Sequence, residues 1–257
     1  MGTKRGSTLT SKWIKTNVLM KSAKISPLIP ETVRFGRESL KQMLDKYGMV
    51  YIKPERGTHG NGVMRAETVR ESGKTSYQCQ NGTKIQKMQE FESFYRSLKK
   101  RTGSRSYLIQ KGIPLLKHKD RRFDLRVMVQ ISPEGKWETT GLIGRVAEPG
   151  KIVTNYHNGG KPMAIEKLLS SHMDASRQAQ LIKQLKKLGE DIGKFYHKKN
   201  LAFKQIGVDV GLDRKLTPWI IEVNTSPDPY IFNQLKDKSM YRKVMAYRRT
   251  ILKQKKA

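Results

Sequence analysis

Cysteine is almost missing from this chain: Cys79 stands alone. A single thiol cannot close an internal disulfide, and no Cys/His cluster has zinc spacing, so a disulfide scaffold and a structural zinc site are both excluded. A reducing, cytoplasmic setting is expected. Long apolar runs are missing too. None approaches the ~18 residues that a membrane-spanning helix requires. The opening MGTKRGSTLTSKW has charge but no apolar signal core, and Gly6 stands where a myristoylation signal wants Ser or Thr. Acid is scarce: 22 Asp+Glu face 52 Lys+Arg, for a formal net charge of +30.

So basic a balance has two readings. It points to a polyanionic partner such as nucleic acid, acidic polymer, nucleotide phosphate or an anionic surface, or it is a solubilising coat. The basic residues are spread rather than blocked, and the aromatic-plus-basic signature of an RNA-binding sheet is lacking. The densest stretch is residues 231–257, with nine Lys/Arg and one acid, Asp237.

What is present reads as alternating helices and hairpins. Residues 1–11 are a small, polar, basic lead-in, and a short helix is expected over 12–24. GRESLKQMLDKYG, Gly36–Gly48, sets Leu40, Met43, Leu44 and Tyr47 on one helical face. MVYIKP and GVMRAE predict two strands joined by a glycine turn. A helix is expected over 84–102, then strands at SYLIQKGI, RFDLRVMVQIS, WETTGLIGRVA and KIVTNYH. A long helix is expected over 176–198, then strands IGVDVGL and PWIIEVN. With 257 residues the chain is long enough for one large domain or two lobes. Helices set apart from hairpins predict an α+β protein with antiparallel sheets.

The last strand, WIIEVN, carries Glu222 and Asn224 on one face of an apolar run. The preceding DRKLT suits a hairpin turn. A turn centred between Lys215 and Leu216 sets Asp209 opposite Glu222, with Cβ atoms about 5 Å apart. Two facing carboxylates repel. A hard divalent cation such as Mg²⁺, held by Asp209, Glu222 and the amide oxygen of Asn224, would reconcile them; so would pairing with nearby Lys or Arg.

PERGTHGNGV holds Gly57, Gly60 and Gly62, with Lys53 just before. This is neither the dinucleotide fingerprint nor a P-loop. Its glycines either bring backbone N–H groups to a phosphate within reach of Lys53, or form an ordinary flexible hairpin loop. Arg126, Arg145 and Lys161 are further cationic candidates. Arg126 shares a strand face with Asp124, which also fits a plain buried ion pair.

In order along the chain, VYIKPERGTHGNGV, YLIQKGI, FDLRVMV, NYHNGGKP, IGVDVGLD and WIIEVNTSPD resemble the ATP-grasp family of nucleotide-binding ligases, from Lys12 to Gln234. IPET, YIKPERGTHGNGV and RRFDLRVMVQ are most similar to its YheC/YheD group, described as endospore-coat-associated proteins. The resemblance implies an ATP-grasp fold: two α+β lobes with antiparallel sheets and the nucleotide site between them. The implied division is a lead-in over 1–11 and an ATP-grasp domain over 12–235. Within that domain 49–109 is the glycine-loop lobe and 110–235 the metal-binding lobe, and a basic helix or tail follows over 236–257.

The resemblance also implies roles. Lys53 would contact α- and β-phosphates under the loop Gly57–Gly62. Gln110, Lys111 and Ile113 fall in the stretch that holds adenine through its backbone, with Lys111 replacing the Glu common in relatives. Asp209, Glu222 and Asn224 would hold Mg²⁺. Arg126 and Arg145 would steady the transferring phosphate or the substrate carboxylate, Lys161 would face the γ-phosphate, and Lys12 is an early basic position. The implied cofactors are ATP and Mg²⁺, and the implied activity is carboxylate–amine or –thiol ligation through an acylphosphate. Many relatives carry a separate N-terminal domain for the acceptor. Here the ATP-binding part begins almost at residue 12, so a partner chain or the basic C-terminus would hold the acceptor, a carboxylate-bearing substrate for which a polyanion would suit the charge. The competing readings are a kinase-like phosphotransferase, a nucleic-acid binder, and a non-catalytic coat-assembly or basic structural protein in the spore.

Overall fold

A computed structural model describes residues 10–199, 201 and 203–253. Apart from Thr10 and Ser11, the expected lead-in lies outside the described residues, as do the last four residues of the basic end. The chain forms two compact units. One comprises the segments up to Ile29, Leu115–Val146 and Lys161 onward; the other comprises Pro30–Pro114 with Ala147–Gly160.

The described chain starts with α1 (Lys12–Met20), capped by Ser11, whose hydroxyl accepts from the Ile14 N–H. From Pro30 the second unit begins with β1 (Thr32–Arg34), α2 (Arg37–Tyr47), β2 (Met49–Pro54), β3 (Met64–Glu71), β4 (Lys74–Asn81), β5 (Lys84–Met88), α3 (Phe91–Thr102) and β6 (Tyr107–Lys111). These strands make one antiparallel sheet in the order β1-β6-β2-β3-β4-β5. Its core is Leu40, Met43 and Leu44 of α2 and Phe94 and Leu98 of α3, packed on Val50, Ile52 and Ile109. The apolar stripe read for Gly36–Gly48 is therefore the face that α2 buries.

The other unit resumes with β7 (Lys117–His118), β8 (Arg121–Ile131) and β9 (Trp137–Val146). It continues through β10 (Lys161–Met163), α4 (Ile165–Leu169), α5 (Ala175–Lys198), β11 (Gln205–Leu212), β12 (Pro218–Asn224) and α6 (Ser239–Lys253). The sheet order is β10-β9-β8-β11-β12, again antiparallel, with β7 paired to β8. Side chains alternate along β8. Phe123, Leu125, Val127 and Val129 join Val208, Val210 and the α5 residues Leu185 and Ile192 in the larger core. Met128 on the opposite face packs with Ile143, Phe232 and Val244 of α6. Asp124 and Arg126 share that second face. The expected basic end is thus, as far as it is described, a helix anchored by Val244 and Ile251.

Two expected elements differ. The helix expected over 84–102 is strand β5 followed by α3. β5 is an exposed edge strand with no buried residue to impose a period of two, and its Lys, Gln and Met are good helix formers. KIVTNYH forms no strand: Asn158 and Gly160 donate their N–H groups to the Asn155 carbonyl, a turn rather than a ladder.

The turn between β11 and β12 is built around Asp213. Its carboxylate accepts from the N–H groups of Lys215 and Thr217 and from Trp219 Nε1, each at 2.9 Å. These bonds hold Leu216 at φ 63°, a conformation a leucine seldom adopts. Burial works to raise the Asp213 pKa, and the bonds from Trp219, Thr217 and Lys215 overcome it, leaving the group below its ordinary value. Its contribution to stability is therefore complete above the unfolded aspartate range near pH 4 and fades as pH falls through the lower folded value. Asp213→Asn is expected to cost about 1–2 kcal/mol at neutral pH. The gap from the parent should narrow on acidification, as read by thermal melts from pH 7 to 2; a gap that widens would overturn this.

Candidate functional site

Five of the expected residues meet on one face of the second sheet. Asp209 lies opposite Glu222 across β11 and β12 and opposite Arg126 across β11 and β8; Asn224 lies opposite Gly207. The pairing of the two acids is the expected one, but the turn is not centred as expected. Leu212 faces Pro218 and Val210 faces Ile220, so the hairpin is centred on Lys215, and Ile221 is an extra, unmatched residue. A one-residue slip exchanges the two faces of a strand. Without the bulge Glu222 would face the way Val208 does, into the core. With it, Ile220 and Val223 both pack inward while Glu222 and Asn224 join Asp209.

The acids are heavily engaged. Arg126 donates to both Asp209 oxygens through Nε and Nη2, the latter at 3.1 Å. Arg145 Nη2 lies 3.0 Å from Asp209 Oδ2, and Asn224 Nδ2 donates to the same oxygen at 3.2 Å. Arg145 also grips Asp124 in a fork, at 2.8 Å through Nε and 2.6 Å through Nη2. The partner of Asp124 is therefore Arg145, directly across β8 and β9, and not its strand neighbour Arg126. Gly207 leaves room for this ladder: a Cβ there would stand 3.1 Å from Arg126 Cδ and 2.8 Å from Pro227 Cβ.

Burial alone would raise the Asp209 pKa; the two guanidinium groups reverse that and hold it at about 2. Burial likewise opposes the charge of Arg145, and Asp124 and Asp209 outweigh it, so the guanidinium stays firmly charged.

Helix α1 contributes to the same unit. Lys12 Nζ lies 3.5 Å from Glu222 Oε1. Lys15, three residues on and buried, was not singled out in the sequence, although the helical spacing from Lys12 was there to read. Burial lowers the Lys15 pKa, with Glu222 and Asp209 pulling the other way. Lys161 is not gathered in: it is exposed on β10 and faces Val146, a core residue, while Pro162 takes the place opposite Arg145.

Among the described residues no three or more His, Cys, Asp or Glu side chains form a metal cluster. The donor set here is two carboxylates and an amide, all hard oxygen donors, which suits Mg²⁺ in kind. Glu222 has a side-chain exposure of 22% against 7% for Asp209, so it is the more accessible donor.

The other unit holds the remaining candidates. Lys53 Nζ donates to Gln110 Oε1 at 2.6 Å, both side chains being buried. Lys111 places its ammonium 5.1 Å from the centre of the Tyr47 ring, and Ile113 is buried. The glycine loop is a built turn. Gly62 has φ 74°, and a Cβ there would fall 2.9 Å from Tyr107 Oη and 3.2 Å from Pro54 Cγ, so only glycine fits. The His59 carbonyl accepts from Asn158 Nδ2, and the His59 and His157 rings lie 4.2 Å apart. The polar loop Asn155–Pro162, without a role of its own in the sequence, thus supports the glycine loop.

A family model for YheC/D-like ATP-grasp proteins matches residues 4–251. The chain belongs to this family. It is 26% identical over 231 residues to the endospore coat-associated protein YheD of Bacillus subtilis (strain 168), covering 88% of this chain and 50% of that protein. It is 21% identical over 223 residues to YheC of the same organism, covering 86% and 61%. The chain therefore spans about half of the first relative's length and about three fifths of the second's. Two solved structures share the fold. The C-terminal domain of K. lactis Pby1, an ATP-grasp enzyme interacting with the mRNA decapping enzyme Dcp2, matches with a TM-score of 0.51 at 15% identity, over 91% of this chain and 69% of that one. D-cycloserine synthetase DcsG matches with a TM-score of 0.54 at 10% identity, over 94% and 70%. The ATP-grasp fold expected from the motifs is the fold of this protein. Among the described residues no helix is long and apolar enough to cross a membrane.

Proposed function

We propose that this chain binds ATP with Mg²⁺ and ligates a carboxylate to an amine or thiol through an acylphosphate. The observation that carries the reading is the meeting of Asp209, Glu222 and Asn224 with Arg126 and Arg145 on one sheet face, in a chain of ATP-grasp family and fold. Glu222, Asn224 and Asp209 would hold Mg²⁺, which when bound would offset phosphate charge. Lys53 and the backbone of the glycine loop would bind phosphate, and the backbone of Gln110–Ile113 would take adenine. Arg126 and Arg145 would fix positive charge where a carboxylate oxygen attacks the terminal phosphorus and the bond to the ADP oxygen breaks. The amine or thiol then displaces inorganic phosphate from the acylphosphate. The carboxylate substrate is unidentified; a polyanionic one suits the net charge of +30.

A second reading is a non-catalytic, coat-associated protein. The names of the two B. subtilis relatives favour it, as does the engagement of Asp209 by two arginines. Calorimetry with ATP and Mg²⁺, followed by ADP release over a panel of carboxylates and amines, separates the two. Lys53→Ala is expected to weaken ATP binding by about tenfold or more, one charge-assisted contact being removed. Unchanged affinity would take Lys53 out of the nucleotide site.

A further inference from the structure

The motif IPET carried similarity without a function. We propose that it works as a positioning relay in which Thr32, acting through Gln110, sets the ammonium of Lys53; the inference rests on the phosphate-binding role assigned to Lys53 above.

The geometry fixes the direction of every bond. Gln110 sits on β6 between β1 and β2, with Thr32 directly opposite on β1. Lys53 lies diagonally across on β2, two positions from the residue facing Gln110 and on the same face. An ammonium only donates, so the Gln110 oxygen must be the atom facing Lys53, at 2.6 Å. The Gln110 amide nitrogen then faces the other way and donates to Thr32 Oγ1 at 3.1 Å. With that lone pair taken, the Thr32 hydroxyl donates to the Pro30 carbonyl at 2.8 Å. A backbone carbonyl only accepts, so both ends of the chain demand the same orientation of the amide. The amide cannot flip without placing its NH₂ against the ammonium. Pro30 and Thr32 of IPET are thereby tied to a lysine more than twenty residues further along. Thr32 touches no expected ligand atom; it is a positioning residue.

Thr32→Val keeps the shape and removes the hydroxyl, and Thr32→Ser restores it. Two readouts apply to the full chain. The first is the ¹⁵N-lysine ammonium signal of Lys53 without nucleotide, assigned by its loss in Lys53→Met. It should be protected from exchange in the parent and in Thr32→Ser, and broadened away in Thr32→Val. The second is ATP affinity by calorimetry, expected to fall about tenfold in Thr32→Val and to recover in Thr32→Ser. In a Lys53→Met background, Thr32→Val should have no further effect. Should Thr32→Val not fold, Gln110→Met breaks the same link one bond further on and carries the same expectations. A Thr32→Val chain with the parental signal and affinity overturns the relay. So does an equal loss of affinity with and without Lys53, which would make Thr32 merely structural. A parent that binds no ATP overturns the functional reading instead, and the ammonium signal then still decides whether the relay exists.

Discussion

An Asp209→Ala chain is expected to lose most of its stability, melting far below the parent or failing to fold. Asp209 accepts from Arg126, Arg145 and Asn224. The two arginine side chains are only 8% and 3% exposed, so bulk solvent does not solvate them when the carboxylate is lost. Removing one member of a buried ion pair costs about 3–5 kcal/mol, and here two guanidinium groups lose a partner at once. A domain holds about 5–15 kcal/mol in all. Arg145 keeps its fork to Asp124, which places Arg126 as the group left worst off. Replacing both Asp209 and Arg126 with apolar residues of similar volume should recover much of the loss, because the unpaired charge leaves with its partner. Thermal and urea melts followed by circular dichroism decide this. A single variant that melts with the parent would show that the ladder does not hold the sheet together.

Glu222→Ala is expected to keep the fold and to abolish Mg²⁺-dependent nucleotide binding and turnover. The two acids share a register pair but not an environment. The Glu222 side chain is 22% exposed and pairs with Lys12 at 3.5 Å. An ion pair of that kind contributes about 1 kcal/mol or less. The proposed function makes the same carboxylate a metal donor, and its loss should lower turnover by at least about a hundredfold. The difference between ATP affinity with and without Mg²⁺, measured by calorimetry, needs no knowledge of the acceptor and should vanish in the variant. Retention of the full Mg²⁺ effect would remove Glu222 from the metal set.

Much of this was legible in the sequence because strands carry their own phase. Asp124 with Arg126, and Glu222 with Asn224, share faces by simple alternation, and the apolar stripes of α2 and α5 announce their buried sides. What escaped was whatever depends on a partner elsewhere. Arg126 has an acid two residues away on its own strand, yet its partner is Asp209, 83 positions on. Thr32 meets Gln110 across 78 positions, and no local pattern records that. β5 escaped for the opposite reason: an exposed edge strand has no buried side to leave a mark. The facing of Asp209 and Glu222 was anticipated from a turn one half-residue out of place, and Ile221 supplied the difference.

That surplus isoleucine separates two tasks within one hairpin. The connection from Asp213 to Thr217 answers to local hydrogen bonding, while the parity of β12 beyond Ile221 decides which side chains meet the ligand-bearing side. Drawing this one aliphatic residue into regular pairing would leave every charged group of the chain in place and yet set an isoleucine opposite Asp209, with the glutamate turned toward oil. The chemistry proposed for this protein thus hangs on which residue stands outside the pairing as much as on the kind of residue within it.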